Sequence, residues 1–136
     1  MKIRRRLFVL YPLVLSSLVW AAAVSLSAWA VPPAPKDFKL NGDPARGKAV
    51  YDKSCALCHG PAGAGNGPMA ASLSPQPKDL TNGTVMAKRS DWEVYVVIRD
   101  GGKALDLSPQ MFAYKSMLTD QQIRDVAAHV RGLAKK

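Results

Sequence analysis

Apolar residues recur at helical spacing in three stretches, and each stretch opens and closes on residues that start and stop helices. In the first, Gly47, Val50, Tyr51 and Ser54 follow Asp43-Pro44, an N-cap with proline at the first helical position. A helix is predicted from there to about Ser54. The second runs through Trp92, Tyr95, Val96 and Ile98 behind the capping box Ser90-Asp91-Trp92-Glu93, and Gly101-Gly102 closes it. The third carries the stripe Ile123, Val126, Ala127 and Val130 behind Thr119-Asp120-Gln121-Gln122, with Gly132 predicted to stop it. Glycine in mid-helix costs about 1 kcal/mol relative to alanine, so Gly47 predicts close approach by another helix.

Between the first two helices the pattern is irregular. Gly60, Gly63, Gly65 and Gly67 are followed by Pro68, Pro75 and Pro77, which predicts a long loop wrapped around something. The domain is therefore all-α with long loops, assigned to residues 43–136. Some 90 residues with so much loop bury too little apolar surface to be stable unless something other than protein fills the centre.

Residues 1–30 follow a different pattern. Lys2, Arg4, Arg5 and Arg6 precede 24 uncharged residues, 7–30, which end in Ala28-Trp29-Ala30. A basic start, an apolar stretch and small residues at a cleavage site are the layout of a signal peptide, and cutting after Ala30 would leave Val31 as the first residue. The stretch is also long enough to cross a bilayer if uncut, so an N-terminal anchor is the other expectation. Either way the chain is expected to be exported to the periplasm, free or held at the inner membrane. Residues 31–42, with Pro32, Pro33 and Pro35, are predicted to be an extended linker.

Charge changes the picture modestly. The chain has 19 Lys and Arg against 10 Asp and Glu; without the four basic residues of the leader, 15 against 10 leaves +5. That balance suits partners with an acidic docking surface, or simply solubility. The basic residues are scattered and do not interleave with aromatics, so nothing predicts nucleic-acid binding.

The chemistry is concentrated in Cys55-Ala56-Leu57-Cys58-His59, the pattern C-x-x-C-H. Two thiols at this spacing reach two vinyl groups on one edge of a porphyrin, and the next residue places an imidazole on the iron. A thioredoxin-like pair would need a βαβ setting, and a zinc site four ligands, whereas His129 is the only further Cys or His. A plain disulfide would leave His59 without a purpose. The sixth ligand must come from a downstream segment, and the candidates are Met69, Met86, Met111, Met117 and His129. Met111 follows Ser108-Pro109 between two helices, where proline keeps the backbone extended. Met69, Met86 and Met117 are expected to pack, and His129 to be a structural histidine at the margin of the last helix's stripe.

From Asp43 to Leu133 the chain resembles the class I cytochrome c family, in particular its short bacterial single-haem members. The residues carrying the resemblance are Gly47-Lys48-Ala49-Val50-Tyr51, Cys55 to Gly60, Gly63, Gly65 and Gly67-Pro68. Asp79-Leu80-Thr81, Ser108-Pro109-Gln110-Met111 and the closing helix from Leu118 to Leu133 complete it. The resemblance implies three main helices and long loops around one haem c, attached at Cys55 and Cys58, with His59 and Met111 as axial ligands. It also implies the Pro68 carbonyl as acceptor for the second His59 nitrogen; Trp92, Tyr95 and Phe112 are expected to pack either near the ring or in the general core. The expected function is single-electron transfer between redox proteins, as a carrier or as a subunit of an oxidoreductase. The alternative is a haem enzyme or sensor with an open sixth position.

Overall fold

The computed structural model describes residues 31–134; the signal peptide or anchor expected at residues 1–30 lies outside the described residues. Five helices follow in order: α1 (Pro44–Ser54), α2 (Ala56–His59), α3 (Gly83–Ala87), α4 (Asp91–Asp100) and α5 (Asp120–Leu133), with single 3-10 turns at Ala70–Ser72 and Gly102–Leu105. No strand occurs among the described residues.

The starts fall where the caps predict them. Asp43 accepts from the N–H groups of Ala45 and Arg46, and Ser90 and Thr119 each complete a capping box with Glu93 and Gln122. The end of α5 differs from expectation. Gly132 lies inside the helix, which runs to Leu133 and stops where Ala134 turns extended. A glycine stops a helix when it takes positive φ, as Gly101 does at φ 86°, and Gly132 does not. Helix α3 was not expected, because Asn82-Gly83 reads as a turn; here Asn82 caps a short helix by accepting from Val85 N–H.

Helices α1 and α5 cross at Gly47. A Cβ there would lie 1.9 Å from the Asp125 carbonyl oxygen and 3.0 Å from the His129 Cβ, so only glycine permits this approach. One turn on, Tyr51 is fully buried with its ring 5.1 Å from that of His129, which holds His129 in the helix crossing. The core continues through Val96, Ile123 and Val126.

The crossing is fastened by Asp125, a buried carboxylate. It accepts from the Asp43 N–H at 2.7 Å, from Arg46 Nε at 2.8 Å and Nη2 at 3.1 Å, and from Gln121 Nε2 at 2.9 Å. The Arg46 guanidinium above all, with the Asp43 N–H and Gln121 amide, lowers its pKa to about 2. Because this value lies below the unfolded one of about 3.9, the stabilisation is present above pH 4 and lost as pH falls through 2. Asp125→Asn should therefore lower stability by roughly 2–3 kcal/mol at neutral pH. Urea unfolding should show that deficit shrinking towards pH 2, where the native carboxyl is protonated as well.

Residues 31–42, expected to be an extended linker, make contacts with the domain. Phe38 packs on Trp92 and Tyr95 at ring separations of 4.8 and 5.4 Å, and the Trp92 indole donates to the Pro32 carbonyl at 2.7 Å. Arg124 lies over Phe38 and donates to the Lys39 carbonyl at 2.8 Å. The sequence hides this because one aromatic ring among prolines carries no period.

Candidate functional site

The C-x-x-C-H segment is one helical turn joined to the end of α1. Cys55 N–H still bonds the Tyr51 carbonyl at 2.8 Å, while Cys58 and His59 N–H both turn to the Cys55 carbonyl, at 3.1 and 2.9 Å. A single turn brings residues three and four apart onto one side, so both thiols and the imidazole are presented together. Gly60, at φ 78°, ends the turn, and its carbonyl accepts from the buried Tyr51 hydroxyl at 2.8 Å.

The glycine-rich loop then doubles back along the turn. Gly65, Gly67 and Met69 N–H bond the carbonyls of His59, Cys58 and Leu57 at 2.8, 3.1 and 3.0 Å. A Cβ on Gly67 would meet the Leu57 carbonyl at 2.4 Å, so this closeness requires glycine.

Beside the turn lies a cavity of about 600 Å³. Tyr51 of α1, Cys58 and His59 of α2 and Cys55 at their junction line it, with Met86 from α3, and Val94, Val97 and Ile98 from α4. The remaining walls come from the two long loops, through Leu73, Pro77 and Leu80 and through Leu105, Met111, Phe112 and Tyr114. A smaller cavity of about 400 Å³ adjoins Cys58, bounded by Leu57, Met69, Gln110 and Phe112 among others.

Burial decides the electrostatics. It pushes the Cys55 thiol up to about 12, with a smaller contribution from Cys58, so Cys55 is not an activated thiolate. It also holds the His59 imidazole below the ordinary histidine range, opposed by a hydrogen bond to the Lys78 carbonyl. A neutral imidazole is the form that ligates a metal.

Of the five candidate ligands, Met86 and Met111 line the large cavity. Met111 is held by its backbone, its N–H on the Ser108 carbonyl at 3.1 Å and its carbonyl on the Gly102 N–H at 2.9 Å. Met86 is buried on α3. Met117, expected to be a core side chain, is 62% exposed, and Met69 is 42% exposed at the smaller cavity. His129 is occupied in the α1–α5 crossing.

One expectation is corrected here. The carbonyl facing His59 Nδ1 is that of Lys78, at 3.3 Å, and not that of Pro68. Pro68 is exposed, because the bonds from Gly67 and Met69 lay that stretch against the backbone of α2, whereas the later stretch through Pro77 and Lys78 reaches the cavity. For Trp92 and Tyr95 the structure selects the core role over the haem contact. They stack on each other, 5.4 Å apart, on the face of α4 that meets Phe38, while Glu93, Val94, Val97 and Ile98 face the cavity. Only Phe112 of the three expected aromatics lines it.

The family model described as cytochrome c matches residues 44–134. The chain belongs to the cytochrome c family. Among solved structures, "KustC0563 c-type cytochrome" is similar at 25% identity and a TM-score of 0.53, covering 65% of this chain and 98% of that one. The Kuenenia stuttgartiensis reducing HAO-like protein complex Kustc0457/Kustc0458 is similar in fold at 24% identity and a TM-score of 0.56, over 79% of this chain and 49% of that one. No curated protein matches the chain in sequence.

Cytochromes c carry haem c bound covalently, and the residues of this cavity fit that group. Its volume is in the range of sites that bury a large organic ligand, and its walls are mostly apolar. Both cysteines of the attachment motif and the neutral imidazole stand on one wall, and a thioether sulfur belongs to another. Lys78 escaped sequence reasoning because a backbone carbonyl has no sequence signal.

Proposed function

We propose that this cytochrome c is a single-haem electron carrier of the periplasm, with Cys55 and Cys58 holding the haem and His59 and Met111 as its axial ligands. The observation that carries this reading is that Cys55, Cys58, His59 and Met111, from two distant segments, line one apolar cavity. The bound haem supplies a one-electron ferric/ferrous couple. The chain's own residues do the rest. His59 and Met111 would hold the iron, and a thioether donor favours its reduced state. Lys78 accepts from the second His59 nitrogen and sets the orientation of the ring. Met86, Val94 and Ile98 keep the cavity dry and apolar, which raises the potential further.

Electrons would pass at the Cys58 side. Leu57 and Phe112 are 54% and 63% exposed there, beside the small cavity bounded by uncharged residues. Such a patch suits brief contact with a redox protein, the positive balance of the domain steering partners with an acidic docking surface towards it. The basic start and apolar run of residues 1–30 support export, and leave the domain free or anchored at the inner membrane.

Carbon monoxide tests the carrier reading directly. The reduced holoprotein should keep its spectrum unchanged under the gas, because both axial positions are filled. A rapid shift to a carbon monoxide adduct would instead identify an enzyme or sensor with an open position.

A further inference from the structure

The loop that carries Met111 is tied to α4 and to the 3-10 turn after it through backbone bonds. Gly102 N–H holds the Met111 carbonyl, and Tyr114 and Lys115 N–H hold the carbonyls of Ile98 and Arg99, each at 3.1 Å. Those bonds fix the loop on its own side of the cavity. Two side chains reach across. Gln110 accepts from the Ser74 N–H at 3.0 Å in an exposed position, and the Tyr114 hydroxyl donates to the Ser54 carbonyl at 2.6 Å in a partly buried one.

The acceptor explains why the Tyr114 bond matters. Ser54 ends α1, and the N–H four residues on, that of Cys58, is taken by the Cys55 carbonyl. The Ser54 carbonyl is thus one of the unsatisfied carbonyls of a helix end, and it lies one residue before the first haem-binding cysteine. Burial, with a smaller push from the two cysteines, raises the Tyr114 pKa to about 12, so the phenol remains a donor at any physiological pH.

We propose that Tyr114 is a positioning residue for the sixth ligand: its hydroxyl latches the Met111 loop to the end of α1, fixing Met111 relative to the Cys55–His59 turn. This rests on the reading of Met111 as ligand. Without the latch the loop opens more often, and an added ligand captures the iron in proportion to the open fraction. One partly shielded hydrogen bond corresponds to roughly a five- to tenfold change in that fraction.

The test is imidazole binding to the ferric holoprotein, followed by its visible spectrum at neutral pH. Tyr114→Phe should bind imidazole five to ten times more tightly than the parent while keeping the thioether-to-iron absorption without added ligand. Tyr95→Phe is the control, because it removes a hydroxyl bonded to Asp120 on the other face of α4. It should cost stability and leave imidazole affinity unchanged. A Tyr114→Phe protein within twofold of the parent, or one matched by Tyr95→Phe, overturns the latch. Met111→Ala reads the ligand assignment separately: it should lose the thioether absorption and bind imidazole more tightly than Tyr114→Phe. If that absorption survives in Met111→Ala, the ligand assignment fails independently of what Tyr114 does.

Discussion

Replacing both Cys55 and Cys58 by serine should leave the chain largely unfolded, with helical circular dichroism reduced severalfold and no cooperative thermal transition. The reason is the size of the cavity relative to the protein around it. Mostly apolar walls bordering about 600 Å³ would face water instead of a packed group, which removes much of the burial on which so small a domain depends. Small domains have about 5–15 kcal/mol in all. Covalent attachment keeps the group that fills the cavity from leaving, so binding and folding are one equilibrium here. A sharp unfolding transition in the double variant would contradict the dependence on the haem.

Met111→Ala should lower the midpoint potential on the order of 0.1 V or more, a fraction of the ~0.8 V over which axial ligands move haem potentials. Loss of the thioether removes the ligand that favours ferrous iron, and it admits water or added ligand to the sixth position. Potentiometric titration would measure the first effect, and binding of carbon monoxide to the reduced variant the second. Met86→Leu is the informative comparison, because Met86 is the other thioether on this cavity. An exchange of similar volume should leave the potential within a few tens of millivolts if Met86 only packs. A large drop in Met86→Leu with no change in Met111→Ala would reassign the ligand.

The three long helices, the loop after His59 and the attachment motif were readable from the chain because each has a local signature. Caps act within four residues, and C-x-x-C-H is fixed by the chemistry of one turn. Gly47 was readable for the same kind of reason, since a glycine in mid-helix is costly without a close neighbour. What escaped depends on contacts between distant segments. Nothing local could show that Trp92 and Tyr95 turn to Phe38, because both faces of α4 are apolar and the choice of face is made by tertiary packing. Lys78 displaced Pro68 as the His59 partner through the path of an irregular loop, which has no period to read. Tyr114 lies sixty residues from Ser54, and a hydroxyl that satisfies one helix-end carbonyl leaves no pattern in either segment.

The most direct test is the intact mass and absorption spectrum of the protein exported by a cell competent for haem attachment. One haem should be added to each chain, resistant to acid-acetone extraction and traced by peptide mapping to both Cys55 and Cys58. A colourless chain of unmodified mass, with its two thiols free or joined to each other, would contradict the assignment.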